Sequence, residues 1–422
     1  MRWILCCLLY ICLAWAKEHL PDYAPGLDTV THVYVTNVTY MDADTSRQEE
    51  EYSRLQHRLQ RSTGKWDSSH PRHRLLTALH GYHRYRERNL VETKKWRDWY
   101  KKAPKRQRSM VESAVKYTRK LNAVDHLLET NERLAHDIVE YGLRFYNVSR
   151  AELEAFIKEN EKQGVNTDRT SVSQAMKHFV RDWSSDGLDE RQEGFPCVLG
   201  TLGNMSRTAA QPLRVLVPGA GLGRLVYEID ALGGFDVTMN EWSAYMNLAH
   251  RYMTSLSGVN SVSFHPYIDW WSHHATTADM QRSVSFPDRL TTPSVLSVEG
   301  DFTTAFAGDG GYDVIVTFFF IDTARNLVSY LETIHRLLRP GGKWINLGPL
   351  LYGSAPFLQL SLDEIIMLSE QIGFRFEDTD ASCGVTTVPG MKARGLEVSY
   401  GRNGQGLSKN AYQAQFWVAA RA

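Results

Sequence analysis

The hydrophobic rhythm of the chain changes part-way along its length. From about residue 70 to 160 apolar residues recur at helical spacing. In "LNAVDHLLETNERLAHDIVEYGLRFY", Leu121, Val124, Leu127, Leu128, Leu134, Ile138 and Val139 fall on one stripe, the three-and-four spacing of an amphipathic helix. After residue 210, short apolar runs alternate with amphipathic ones. "LRVLVPG" predicts a buried strand meeting a glycine turn, "RLVYEIDALG" a helix stopped at Gly233, "FDVTMNEWS" a second strand and "AYMNLAHRYMTSL" the next helix. "YDVIVTFFFID" predicts a long buried strand, "NLVSYLETIHRLL" an amphipathic helix and "RPGG" the turn into the strand "KWINLGPLL". A last helix, "LSLDEIIMLSEQIGF", precedes the strands "RFEDTDA" and "AYQAQFWVAARA". Strands joined by helices of this length require right-handed crossovers and so a mainly parallel, doubly wound α/β sheet. The final two strands are too close for a helix between them and predict an antiparallel hairpin at one edge.

The change of rhythm divides the chain near residue 170, into a helical region over 70–170 and an α/β domain over 171–422. Residues 17–69 are polar and poorly patterned and predict a loose arm. Residues 1–16, "MRWILCCLLYICLAWA", combine a basic start, an apolar stretch and a small-x-small end. They predict a secretory signal peptide and are too short for an ordinary membrane span. Cys6, Cys7 and Cys12 lie inside that segment. Only Cys197 and Cys383 remain, too few for a disulfide framework or a cysteine-built zinc site, so no metal is expected. Glycan-acceptor tripeptides occur at Asn37, Asn147 and Asn204, a short pattern that also arises by chance. With 48 basic and 48 acidic residues, no global charge points to nucleic acid or an anionic membrane. The basic run "RYRERNLVETKKWRDWYKKAPKRQR" predicts a solvated helix face. The helical region could also pair two copies of the chain.

The candidate chemistry begins at "VLVPGAGLGRL", which sets Gly219, Gly221 and Gly223 between a strand and a helix. Glycines there permit a tight turn and close backbone approach, and the helix start offers free N–H groups. Glu241, 22 residues after Gly219 at the end of the second strand, is placed to accept ribose hydroxyls. The dinucleotide fingerprint would place its third glycine where Arg224 stands. The spacing G-x-G-x-G suits S-adenosylmethionine, which has no pyrophosphate to cradle, and methyl transfer leads hydride transfer. Asp301 in "VEGDFTTAF" is either a turn aspartate or an acceptor for an adenine amino group. Asp322, ending the greasy run "VIVTFFFIDTARN", either caps the next helix or stands at a reaction centre. The aromatics of "YIDWWSHH" either wall a substrate pocket or pack as an ordinary loop.

These residues resemble the carnosine N-methyltransferases, an S-adenosylmethionine-dependent family. The matching stretches are "HFVRDWS", "VPGAGLGRL", "NEWS", "FPD", "GDF", "FFIDTARN" and "PGGKWINLGPLLY". The resemblance runs over roughly residues 70–422 and implies a Rossmann-like, seven-stranded methyltransferase sheet. It implies that Arg181 holds the methionine carboxylate, that Gly219, Gly221 and Gly223 line the cofactor, and that Glu241 takes the ribose. Asp301 and Phe302 fall at the adenine end, with Val314 nearby, and Asp322 and Tyr412 contact an imidazole dipeptide. Two positions depart from the family: His178 replaces a cofactor-contacting glutamine, and Gly353 replaces a substrate-contacting histidine. The implied reaction is N-methylation of the imidazole of carnosine or a related dipeptide, with Asp322 as the catalytic carboxylate. Gly353 leaves open another small molecule, a protein histidine, or a cofactor-binding relative without turnover. The family implies the cytosol, whereas residues 1–16 imply the secretory pathway.

Overall fold

The structure, a computed structural model, describes residues 45–165, 168–353, 355–401 and 403–422. The signal-peptide reading of residues 1–16 and the tripeptide at Asn37 lie outside the described residues. The helical region comprises α1 (Thr45–Arg58), α2 (Pro71–His83), α3 (Tyr85–Lys101), α4 (Lys105–Val115), α5 (Tyr117–Phe145), α6 (Arg150–Lys162), α7 (Arg169–Trp183) and α8 (Leu188–Gly203). Helix α5 buries Leu121, Val124, Leu128, Leu134, Ile138 and Val139, and Leu127 packs half-buried beside them. Each fully buried side chain of this kind contributes roughly 1.5–3 kcal/mol. Gly142 brings α5 close to the sheet domain, since a Cβ there would lie 2.4 Å from Leu248 Cδ2. Part of the basic run is taken up by ion pairs, including Arg84–Glu161, Arg86–Glu129 and Arg97–Asp125.

The loose-arm expectation needs correction from residue 45 onward. Helix α1 is docked on the sheet edge: Arg47 pairs with Asp236 at 2.6 Å, and Gln48 donates to the carbonyls of Pro293 and Val295 at 3.2 and 3.0 Å. Its apolar residues are few, but Leu55 is buried, and polar contacts of high sequence separation cannot be read from a local pattern. All described residues fall in one compact unit. The helical region and the sheet share one core cluster, so the division near residue 170 is a change of architecture within one body.

The strands are β1 (Leu213–Pro218), β2 (Phe235–Glu241), β3 (Val262–Phe264), β4 (Val284–Phe286), β5 (Leu296–Glu299), β6 (Tyr312–Phe318), β7 (Leu338–Gly348), β8 (Phe374–Phe376), β9 (Val385–Thr386), β10 (Arg394–Ser399) and β11 (Ala411–Arg421). Between and after them run α9 (Arg224–Ala231), α10 (Ala244–Thr254), α11 (Thr277–Gln281), α12 (Phe302–Ala305), α13 (Leu327–Leu337) and α14 (Leu362–Ile372). The main sheet has nine strands, rather than seven, in the order β5-β2-β1-β6-β7-β11-β10-β9, with β8 pairing β11. The class is as expected, with parallel pairing from β5 to β7 and antiparallel pairing at β11.

Two local readings change. The hairpin partner of β11 is β10, while β8 pairs only with Ala419–Arg421. The segment 377–410 is poor in apolar periodicity, which hid its two strands. The Pro340-Gly341-Gly342 turn lies within β7, as an irregularity between the pairs Tyr312/Leu338 and Val314/Lys343. The order of strands reverses between β1 and β6, whose carboxyl ends therefore open a crevice, the place where such sheets bind ligands.

One pairing connects distant segments. Cys197 of α8 and Cys383, in a short turn after β8, form a disulfide with Cα atoms 5.6 Å apart across 186 residues of sequence. Two leftover cysteines were uninformative as a count; the fold brings them together.

Candidate active site

The loop after β1 carries three left-handed glycines, with φ of 65° at Gly219, 58° at Gly221 and 81° at Gly223. A side chain at Gly219 is excluded twice over, by that backbone and because a Cβ would lie 2.2 Å from the Phe320 ring. Glu241, at the end of β2, turns its carboxylate onto the same loop. One oxygen accepts the Gly221 N–H at 2.9 Å and the other the Ser243 N–H at 2.7 Å. Burial pushes this carboxyl above its ordinary range against the pull of those N–H groups. A carboxylate offers about four acceptor positions, so Glu241 can fix the loop and still receive hydroxyls.

Helix α7 closes the crevice from the side. Arg181 pairs with Asp182 at 3.1 Å and Glu190 at 3.6 Å, and its guanidinium lies 5.0 Å from the Tyr400 ring centroid. His178 is one turn earlier, with Nδ1 2.8 Å from the Gln174 carbonyl. A carbonyl only accepts, so Nδ1 carries the proton. Burial lowers the ring's pKa and keeps it neutral, leaving Nε2 as an acceptor near the loop, where a Gly221 Cβ would lie 3.9 Å from it.

The greasy strand ends earlier than the apolar run suggests. Strand β6 stops at Phe318, Phe319 takes a left-handed φ of 51°, and Asp322 sits in a single turn of 3-10 helix, Ile321–Thr323. It does not cap α13, whose N-cap is Asn326. Asp322 is 8% exposed. Burial pushes its carboxyl up to about 6, opposed by hydrogen bonds from its own N–H and that of Leu351. Phe319 stacks on Tyr400 at 5.1 Å and meets Tyr412 edge-on at 6.0 Å, so an aromatic group links Arg181 to the end of β6. Gly353 is exposed, and a Cβ there would meet no atom within 4 Å.

After β5, Asp301 realises the turn reading: its Oδ1 accepts the N–H and hydroxyl of Thr303 at 2.8 and 2.6 Å and caps α12. It also borders a cavity of about 1030 Å³ together with Arg74, Trp242, Asn247 and Glu299. Phe302 (3% exposed) and Val314 (1% exposed) are core residues; Phe302 packs on Phe320 and Tyr330, and Val314 pairs with Val215 in the sheet. The loop "YIDWWSHH" does wall a pocket, of about 190 Å³, where Tyr267, Trp270, His273 and His274 meet Arg181 and Lys177.

Sequence reasoning missed three supports. Phe319 and Tyr400 complete the aromatic group, and only their place in the fold reveals them. Arg74 of α2 lays its guanidinium 3.6 Å from the Trp242 ring centroid, bringing the helical region over the end of β2. Asp288 is the third. Its Oδ1 accepts Arg224 Nη1 at 2.6 Å and its Oδ2 accepts Arg191 Nη2 at 2.8 Å. Arg224 also donates to the Asp182 carbonyl and Arg191 to the Arg181 carbonyl, at 2.9 and 2.7 Å. One carboxylate thus fixes the helix after the glycine loop against the helix bearing Arg181. Arg224, the residue that spoiled the dinucleotide fingerprint, is this anchor.

A glycine loop after the first strand, an acid closing the second, and a crevice at the strand reversal place the protein among the Rossmann-like methyltransferase folds. The narrower assignment comes from comparison: the chain belongs to the carnosine N-methyltransferase family, whose model matches residues 158–422. A mouse protein called carnosine N-methyltransferase is 38% identical over 224 residues, which is 50% of this chain and 56% of the mouse protein. A fission-yeast protein of the same name, from Schizosaccharomyces pombe, is 28% identical over 330 residues, covering 72% of this chain and 83% of its own length. The match thus spans about half of the mammalian relative.

Proposed function

We propose that the protein transfers a methyl group from S-adenosylmethionine to an imidazole nitrogen of a histidine-containing dipeptide of the carnosine type. The observation that carries the reading is Asp322, a buried carboxylate four residues past the end of β6, in the segment whose Phe319 meets Tyr400 and Tyr412 and whose Phe320 lies against Gly219 of the glycine loop. The residues fit the cofactor: the loop leaves backbone N–H groups and no side-chain bulk, Glu241 keeps acceptor capacity for a ribose, and Arg181 is a half-buried fork suited to a carboxylate.

The bound cofactor supplies an electrophilic methyl group on a sulfonium. The protein's share is positioning and electrostatics. Asp322 accepts the N–H of one imidazole nitrogen, which selects the tautomer whose other nitrogen presents its lone pair to the methyl. As that nitrogen is alkylated the ring becomes cationic, and the carboxylate offsets the charge and takes the N–H proton. Phe319, Tyr400 and Tyr412 give a flat acceptor ring faces to stack on and keep water away.

The test is incubation of the purified protein with methyl-labelled S-adenosylmethionine and a panel of imidazole dipeptides, histidine-bearing proteins included. Label on a dipeptide ring nitrogen supports the proposal. Label only on protein histidine favours a second reading, motivated by the open, exposed position of Gly353. Cofactor binding with no transfer to any acceptor overturns both.

A further inference from the structure

Two surface asparagines and one buried crosslink lie apart from the site. Asn147 follows the end of α5, exposed and with φ of 50°, in the turn before Ser149 caps α6. Asn204 follows α8, exposed, with Ser206 exposed two residues on. Both acceptor tripeptides therefore sit on surface turns between elements, where a bulky, hydrated group is accommodated without displacing packed atoms. Buried positions would have argued against modification, and most of the chain's polar core is helix or strand. Asn204 also lies between α8 and β1, three residues ahead of Arg207, which donates to the Gly233 carbonyl before β2.

The crosslink points the same way. Cys197, on the helix that ends at Asn204, is joined to Cys383, which is 4% exposed. No other cysteine exists outside residues 1–16, so pairing leaves no free thiol in the remainder. Stable pairs of this kind belong to oxidising compartments, and residues 1–16 carry the pattern that delivers a chain there.

We propose that Asn147 and Asn204 are N-glycosylated and that Cys197–Cys383 is closed as a structural disulfide, both in the lumen of the secretory pathway. In each glycosylation, the asparagine Nδ2 bonds to the anomeric carbon of an oligosaccharide carried on a lipid pyrophosphate. The carbon–oxygen bond to the pyrophosphate breaks, the lipid pyrophosphate leaves, and Nδ2 gives up one proton. In the crosslink, two thiols lose two protons and two electrons to a protein disulfide, which becomes a dithiol. Neither step depends on the methyl-transfer reading.

The experiment expresses the full chain in eukaryotic cells and reads the protein on gels and by peptide mass spectrometry. The expected result is a mobility shift on treatment with an N-glycan amidase, with Asn147 and Asn204 converted to aspartate in the released peptides. N147Q and N204Q should each remove one glycan step, and a non-reduced digest should contain the Cys197 and Cys383 peptides as one species. A chain with no amidase shift and with both thiols alkylated in the absence of reductant overturns the proposal. So does modification at Asn37 alone. Occupancy read on the unsubstituted chain decides the matter if either variant fails to fold.

Discussion

Replacing Asp322 by asparagine should have two opposite effects. Asparagine keeps the shape and one acceptor oxygen but loses the charge. A carboxylate about 4 Å from a developing unit positive charge, at an effective dielectric constant near 20, is worth roughly 4 kcal/mol. At about 1.4 kcal/mol per decade this is about a thousandfold in kcat. The sign for stability is reversed. The folded carboxyl titrates at about 6, above the unfolded value near 3.9, so ionising it costs the fold. That cost is complete above pH 6, shrinks as the pH falls from about 6 to about 4, and is gone below. D322N in the absence of ligands should therefore be more stable than the parent at pH 7–8 by about 1–3 kcal/mol, the lower part of the range allowing for water screening. At pH 4 the gain should vanish. Denaturant unfolding at the two pH values, beside methyl transfer to carnosine with cofactor affinity measured separately, checks both halves. Turnover within tenfold of the parent with cofactor binding intact, or equal stability gains at pH 4 and 8, would refute the reasoning.

Three further outcomes follow from the packing. Asp288→Ala removes the shared partner of two guanidinium groups whose side chains are 6% and 9% exposed, and should cost about 3–5 kcal/mol in denaturant unfolding and weaken cofactor binding measured by calorimetry. Gly353→His finds open space, so it should leave the melting temperature unchanged while lowering KM for carnosine about fivefold, the worth of one added hydrogen bond of about 1 kcal/mol; an unchanged KM would show that the position does not face the acceptor. Cys383→Ser should cost up to about 5 kcal/mol, the loop-closure limit for so long a separation, and should abolish any effect of reductant on thermal unfolding, which the parent should show.

Much of this architecture could be read from the chain because its signals are local. The stripe on α5, the glycine loop between β1 and α9 and the acid at the end of β2 each lie within a few residues of the pattern that betrays them. The apolar run marks a central strand but not its end: β6 stops at Phe318 and Asp322 follows in a turn of 3-10 helix, and its neighbours were not legible. Phe319 and Tyr400 are 81 positions apart in numbering, and nothing in either segment marks them as partners. Asp288 looked like a fragment of a motif and proved to join two helices, because a carboxylate's role depends on which guanidinium groups the fold brings to it. The extra strands β9 and β10 escaped notice for a related reason: a two-residue edge strand and its half-polar neighbour carry too little alternation to stand out.

Arg74, stacked on Trp242 above the end of β2, lies 84 residues ahead of the segment that the family model matches. The segment that the family model matches and the structurally complete body are thus different things. A fragment begun at residue 158 would keep every residue assigned to chemistry while uncovering the apolar flank of α7 and α10 and opening the cavity beside Asp301 to solvent. Cutting the chain at that boundary should therefore leave the floor of the site in place and take away its roof.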